Sequence, residues 1–117
     1  MKRFFSLIMV GLLFCFPYGA WADGGEPLRI VATIFPGYDF ARQIAGENAE
    51  LTLLLPPGSD IHSFDPTPQD IIAIQNADLF IYNGGESDEW VLRLLESLGE
   101  DAPETFVMMD HVTAEVA

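Results

Sequence analysis

The chain has 117 residues, 50% of them hydrophobic, and its five basic residues stand against eighteen acidic ones, for a net charge of −13 at pH 7. So acidic a surface repels nucleic acid and anionic lipid, which excludes a nucleic-acid-binding function, and it attracts cations over long distances. Because an acidic excess also serves solubility alone, the charge leaves both a cation ligand and a merely soluble surface open.

The first 22 residues have the layout of a cleaved export signal. The basic pair Lys2-Arg3 precedes an apolar run from Phe4 to Phe16, and Ala20-Trp21-Ala22 forms an A-x-A cleavage site. The run is too short to span a bilayer comfortably, and Cys15 follows a bulky aromatic residue, which disfavours a lipid anchor. We expect cleavage after residue 22 and a periplasmic or extracytoplasmic mature chain. That chain has no cysteine, three basic residues and eighteen acidic residues, a net charge of −15.

Strand and helix patterns alternate from there on. Leu28 to Phe35 is a continuous apolar run rich in β-branched residues, which predicts a strand buried on both faces. Tyr38 to Ala45 predicts a helix that Gly46 stops. The apolar face of this helix consists of Phe40, Ala41 and Ile44. Leu51 to Leu55 predicts a second strand, and the loop that follows leads to another helix.

The start of that second helix has a strong local signature. Thr67 is a suitable N-cap, Pro68 suits the first helical position, and Asp70 places a negative charge near the positive end of the helix dipole. We predict that its apolar residues face the sheet. These residues are Ile71, Ile72 and Ile74.

The third strand and third helix follow directly. Leu79 to Tyr82 predicts the strand, Asn83-Gly84-Gly85 its turn, and Ser87 the cap of a helix that runs to about Leu98. The apolar face of the helix consists of Trp90, Val91, Leu94 and Leu95. Thr105 to Met109 predicts a fourth strand. The alternation predicts an α/β fold with a parallel, four-stranded, doubly wound sheet. Since no helix pattern long enough to cover the fourth strand follows it, we expect a truncated part of a larger architecture.

Open α/β sheets bind ligands beyond the carboxyl ends of their strands. One of the loops expected there, Pro56 to Pro66, contains His62, one of two histidines in the chain. A neutral imidazole is a good ligand for zinc and its neighbours, and a proline-stiffened loop lowers the entropy cost of presenting it. A lone histidine equally well hydrogen-bonds its own loop. Asp60 and Asp65, which flank it, can chelate a metal or cap turns, so spacing alone leaves these alternatives open.

Three stretches of the chain, residues 31–46, 53–71 and 76–91, resemble a known family. The most specific piece is PPG-x-x-x-H-x-(F/Y)-(D/E)-P-(T/S)-P, which Pro56 to Pro68 matches in full. It resembles the amino-terminal lobe of the solute receptors of zinc and manganese ABC transporters (cluster A-I, or cluster 9). By this match His62 takes the role of a direct metal ligand.

The resemblance also implies a receptor larger than this chain. Family members have two α/β lobes joined by a long helix, and the metal lies between the lobes on three histidines and a carboxylate. Residues 23–117 correspond to the amino-terminal metal-binding lobe, and the motifs of the second lobe are absent. The implied function is capture of zinc, with manganese or iron as alternatives, for delivery to an ABC transporter permease. We expect a monomer.

Other interpretations concern the remaining polar residues. His111 follows the fourth strand, where the family places no ligand, and we expect it to be solvated or in a turn. Glu86, Asp88 and Glu89 are expected to be a solvated, dipole-favoured helix start, with Glu86 as an alternative contributor to the metal cleft. Several aromatic residues are expected in the core or, alternatively, on the walls of the cleft. They are Phe35, Tyr38, Phe64 and Trp90.

Two other functional classes compete with a receptor. A metallohydrolase would hold a metal on His62, Asp60 or Asp65 and use an acid as base. The sequence lacks H-E-x-x-H, a G-x-S-x-G elbow and a second nearby histidine, which disfavours this class. We therefore expect a binding protein and not an enzyme. The second class is a fragment of a split reading frame with no function of its own, which the genomic sequence past residue 117 would decide.

Overall fold

Four strands form one parallel sheet in the computed structural model, which describes residues 25–112. The strands are β1 (Leu28–Ala32), β2 (Ala49–Leu53), β3 (Leu79–Tyr82) and β4 (Glu104–Val107). Their order across the sheet is β2-β1-β3-β4, and each neighbouring pair is parallel. The predicted parallel sheet is confirmed, and the strand ends differ from the predicted ones by at most three residues; the largest difference is at the end of β1, where Phe35 already belongs to α1.

Helices cover both faces of the sheet, as predicted. They are α1 (Phe35–Ala45), α2 (Pro68–Gln75) and α3 (Glu89–Leu98). On one face Ala41 of α1 packs with Ile30, Ala32 and Ile81, while on the other face α2 and α3 pack over a larger core. That second core consists of Val31, Leu54, Leu55, Ile74, Ala77, Phe80, Tyr82 and Val91. Because successive side chains of a strand point to opposite faces, the central strand β1 contributes to both cores.

The outer face of α1 differs from the prediction. The helix begins at Phe35, with Pro36 in its first turn, and of its predicted apolar face only Ala41 is buried. Phe40 and Ile44 are 60% and 86% exposed. With Phe106 of β4 they border an apolar groove of about 420 Å³. The reason is that α1 packs chiefly on β1 and β2, so within residues 25–112 it leaves this side of β4 uncovered.

The apolar residues of α2 divide between core and solvent. Ile74 is fully buried and Ile71 half-buried, but Ile72 is 54% exposed, so the prediction that all three face the sheet is wrong for Ile72. Residues three apart share a helix face, whereas adjacent residues are rotated by about 100°. In α3 the predicted face is confirmed, with Val91 buried and its apolar neighbours packed beside it.

No helix within residues 25–112 has the length and apolar character needed to cross a bilayer. The predicted signal peptide, residues 1–22, lies outside the described residues.

Candidate metal centre

His62 lies in the loop between β2 and α2, beyond the carboxyl end of β2. It is the middle residue of a single 3₁₀ turn, Ile61–Ser63, and its side chain is exposed. Asp60 caps this turn, because its Oδ1 accepts a hydrogen bond from the His62 backbone N–H at 2.9 Å. The Ser63 hydroxyl donates to the Asp60 carbonyl oxygen at 3.4 Å. Of the two roles open to Asp60, the structure shows the cap.

The far end of the loop is held by a capping box; the predicted Thr67 N-cap is confirmed, and the reciprocal bond of Asp70 adds to it. Thr67 Oγ1 accepts a hydrogen bond from the Asp70 N–H at 3.2 Å, and Asp70 Oδ2 accepts one from the Thr67 N–H at 2.9 Å. Pro68 occupies the first turn of α2. Two donors that a helix start would leave without partners are thereby satisfied.

The apolar residues around His62 turn inward. Ile61 and Phe64 are partly buried against the α2–α3 core, and the Phe64 ring centroid lies 5.2 Å from that of Trp90, at the start of α3. The packing of Ile61 and Phe64 against the core, and the caps at the two ends of the loop, therefore hold the turn in place and leave His62 exposed. Of the other two aromatic residues considered, Tyr38 packs against the α1 core and Phe35 is 48% exposed.

The loop between β3 and α3 lies at the same edge of the sheet, and it corrects two predictions. Asp88, not Ser87, occupies the N-cap position of α3. Asp88 is only 1% exposed, and its Oδ2 accepts a hydrogen bond from the Gly84 N–H at 2.8 Å, whereas Glu86 and Glu89 are exposed. The expected solvated acid cluster is thus wrong for Asp88. The cause lies in the turn, where Gly84 has φ +92°, a conformation that glycine favours and that folds the backbone over Asp88.

Tyr82, the last residue of β3, reports on the electrostatics of this edge. Burial raises the pKa of its phenol, and the negative charges of Asp110 and Asp88 raise it further. Both effects disfavour the negatively charged phenolate form of Tyr82. Asp88 and Asp110 thus place two carboxylates near Tyr82, at the carboxyl end of β3.

His111 is placed differently from His62. It lies in a 3₁₀ turn after β4 (Met108–His111), and its ring stacks on Phe106 with centroids 4.4 Å apart and planes 6° from parallel. It is exposed and borders the apolar groove beside α1. The predicted turn position is confirmed. Within residues 25–112, no group of three or more His, Cys, Asp or Glu side chains is arranged to hold a metal ion.

The chain resembles characterised metal receptors. The family model described as "Zinc-uptake complex component A periplasmic" matches residues 30–116. The high-affinity zinc uptake system protein ZnuA of Bacillus subtilis is 40% identical over 82 residues, which cover 70% of this chain and 26% of that protein. The manganese-binding lipoprotein MntA of Halalkalibacterium halodurans is 34% identical over 95 residues, which cover 80% of this chain and 32% of that protein.

The fold agrees with these sequence matches. The crystal structure of the Zn(II)-bound ZnuA-like domain of Streptococcus pneumoniae AdcA superposes with a TM-score of 0.67 at 31% identity. The superposition covers 78% of this chain and 34% of that one. The chain thus spans about a quarter to a third of the length of these three relatives. Because the family model matches most of its length, the chain belongs to the ZnuA family of metal-binding solute receptors, which are not enzymes.

Proposed function

We propose that this chain is the amino-terminal part of an extracytoplasmic receptor that captures zinc for an ABC transporter permease, with His62 as a direct zinc ligand. The observation that carries the proposal is the exposed imidazole of His62 on a capped turn at the carboxyl edge of a parallel sheet. This edge is where open α/β folds bind ligands.

The chemistry of the donor supports a first-row metal. A neutral imidazole binds zinc well, and a loop fixed before binding loses less conformational entropy when the metal arrives. The acidic surface, with a net charge of −15 after removal of residues 1–22, raises the local concentration of cations. Neither property selects one divalent metal by itself.

Zinc is preferred over manganese because of the relatives. The ZnuA of Bacillus subtilis has the higher identity, and the superposed AdcA domain contains Zn(II), whereas MntA is described as manganese-binding. Sites rich in imidazole suit zinc, and sites richer in oxygen ligands suit manganese. A competition titration with both metals separates the two: a chain that prefers manganese would contradict the zinc assignment.

The remaining ligands belong, in this proposal, to parts of the receptor outside residues 25–112. A closed zinc site has four protein ligands, or three and a water, so the isolated chain is expected to bind zinc weakly and exchangeably. The receptor is proposed to be a monomer, exported and cleaved after Ala22. Mass spectrometry of the exported product tests the cleavage, and an intact start or a lipid on Cys15 would contradict it.

Isothermal titration of the full chain with zinc tests the role of His62. His62→Ala should remove most of the specific binding, while His111→Ala, the matched loss of the other imidazole, should change little. Binding should also weaken as the pH falls, because protons compete with zinc for the ring. Equal affinities of the wild type and His62→Ala would refute the assignment. Loss of binding with His111→Ala alone would transfer the ligand role to that residue, and no zinc binding by the wild type would favour a fragment without its own function.

A further inference from the structure

The loop that carries His62 contacts the first turn of α3 through the rings of Phe64 and Trp90. From this contact we propose that Asp88 is a positioning residue for His62, and that it acts through Trp90 and Phe64. The inference rests on the proposed function, because a positioned His62 matters only if His62 binds metal. The path from Asp88 to His62 consists of one hydrogen bond, one helix start and one aromatic contact.

The first step is the closure of the β3–α3 loop. The 2.8 Å hydrogen bond from the Gly84 N–H to Asp88 Oδ2 ties the two ends of this short loop together. Gly84 lies against β4, since a Cβ there would approach Val107 Cγ1 to 2.9 Å. The loop thus packs against β4 of the sheet, and the Asp88 side chain links its two ends.

The second step passes from Asp88 to the ring of Trp90. Asp88 immediately precedes α3, and Trp90 is the second residue of that helix. Where the first turn of α3 begins therefore determines where the indole ring lies. If the loop opens, the first turn frays and this ring loses its fixed position.

The third step passes from Trp90 to His62. The Trp90 and Phe64 rings pack with a centroid distance of 5.2 Å and an interplanar angle of 58°. Phe64 is the C-cap of the 3₁₀ turn that contains His62. Since Asp60 holds only the amino end of that turn, Phe64 on Trp90 fixes the other end.

The Asp88 side chain is buried at the N-cap position of α3 but accepts no hydrogen bond from the first turn of that helix, which supports a role other than capping. Taking a carboxylate out of water costs free energy, and within the described residues its Oδ1 receives no protein hydrogen bond. An exposed Ser, Thr or Asp caps a helix start without that cost. The buried position is explained if the carboxylate holds the β3–α3 loop, and with it the start of α3, in one place.

The test compares two aspartates that accept equally short bonds from backbone N–H groups. Asp88→Ala breaks the bond to Gly84 at the carboxyl edge, and Asp78→Ala breaks the 2.8 Å bond from the Arg29 N–H at the amino edge of the sheet. Asp88→Asn keeps an acceptor oxygen for the loop. The measurements are amide hydrogen exchange of residues 61–63 by NMR and the affinity for zinc, both on the full chain.

We expect Asp88→Ala to speed exchange of the His62 amide about tenfold, as its supporting turn opens more often. Zinc should bind up to roughly tenfold more weakly, the lower end of the range for residues that hydrogen-bond a metal ligand directly, because Asp88 acts through Trp90 and Phe64. Asp88→Asn should restore both values, and Asp78→Ala should leave both unchanged.

Unchanged exchange of residues 61–63 in folded Asp88→Ala would overturn the proposal, and so would equal effects of Asp78→Ala. If Asp88→Ala does not fold, Phe64→Leu decides instead, because it breaks the last step of the path while keeping an apolar side chain. Exchange of the His62 amide that stays at the wild-type rate in Phe64→Leu would refute the path. Zinc binding that is insensitive to His62→Ala would refute the proposed function, while the exchange rates would still test the positioning.

Discussion

The capping box at the end of the His62 loop allows a quantitative test of the local structure. Thr67→Ala removes the hydroxyl that accepts from the Asp70 N–H at 3.2 Å, but it leaves the 2.9 Å bond from the Thr67 N–H to Asp70 Oδ2 in place. Thr67 is exposed, so the substitution creates no cavity. The expected cost is therefore that of one N-cap, about 1 kcal/mol of unfolding free energy.

This cost is large enough to measure in a domain of this size. A loss of about 1 kcal/mol lowers the midpoint of thermal unfolding by roughly 4–8 °C in a domain of about 60–100 residues. Circular dichroism during heating measures the midpoint. Thr67→Ser is the matched control, because it keeps the hydroxyl and loses only a methyl group, and its midpoint should stay close to that of the wild type.

A second variant tests whether the two bonds act together. Asp70→Ala removes the other half of the box, and the double variant with Thr67→Ala should cost less than the two single changes added, by about 0.5 kcal/mol or more. Identical midpoints for Thr67→Ala and Thr67→Ser would refute the reasoning. In that case the hydroxyl would contribute nothing, and Pro68 alone would account for the start of α2.

Two further predictions concern the core and the titration of the sheet edge. Ile74→Val should lower the unfolding free energy by about 0.5–1.5 kcal/mol, because Ile74 is fully buried. Ile72→Val is the control, since Ile72 lies in the same helix but is 54% exposed, and it should change the unfolding free energy little. Chemical denaturation measures both variants, and equal costs would contradict the assigned burial. Burial and the nearby carboxylates of Asp110 and Asp88 raise the pKa of Tyr82 from its ordinary value of 10.0, so the folded state disfavours the phenolate. The stability contributed by this group is present below about pH 10 and is lost as the pH rises through the folded-state pKa. Tyr82→Phe should remove this alkaline loss of stability, and it should also remove the phenolate absorbance change that occurs at the highest pH. Alkaline unfolding that is the same in both proteins would contradict the assigned shift.

Local sequence signals predicted the elements well where the governing interactions are local. The continuous apolar run of β1, the Thr67-Pro68 start of α2 and the stop at Gly46 each depend on a few adjacent residues. The same holds for the exposed loop of His62, whose motif was recognisable without any coordinates. Its role as a ligand stays a prediction until zinc binding is measured.

Predictions that depended on the partner of a side chain were less reliable. Ser87 and Asp88 are both good N-caps, and only the fold of the Gly84 turn over Asp88 selects the second and buries it. Phe40 and Ile44 have the spacing of a core face, but α1 packs over β1 and β2 and leaves both residues exposed.

By itself the sequence determined the alternation of strands and helices, the parallel α/β class and the loop that presents His62, because periodicity, caps and glycine stops act within a few residues. Only the tertiary structure decided the strand order β2-β1-β3-β4, the burial of Asp88 and the contact of Phe64 with Trp90. The strand order and the Phe64–Trp90 contact join residues far apart in the chain, and the Gly84 turn that buries Asp88 lies against Val107 of β4. Which groups lose water and which pack together depends on how the layers meet, and no short window of sequence contains that information.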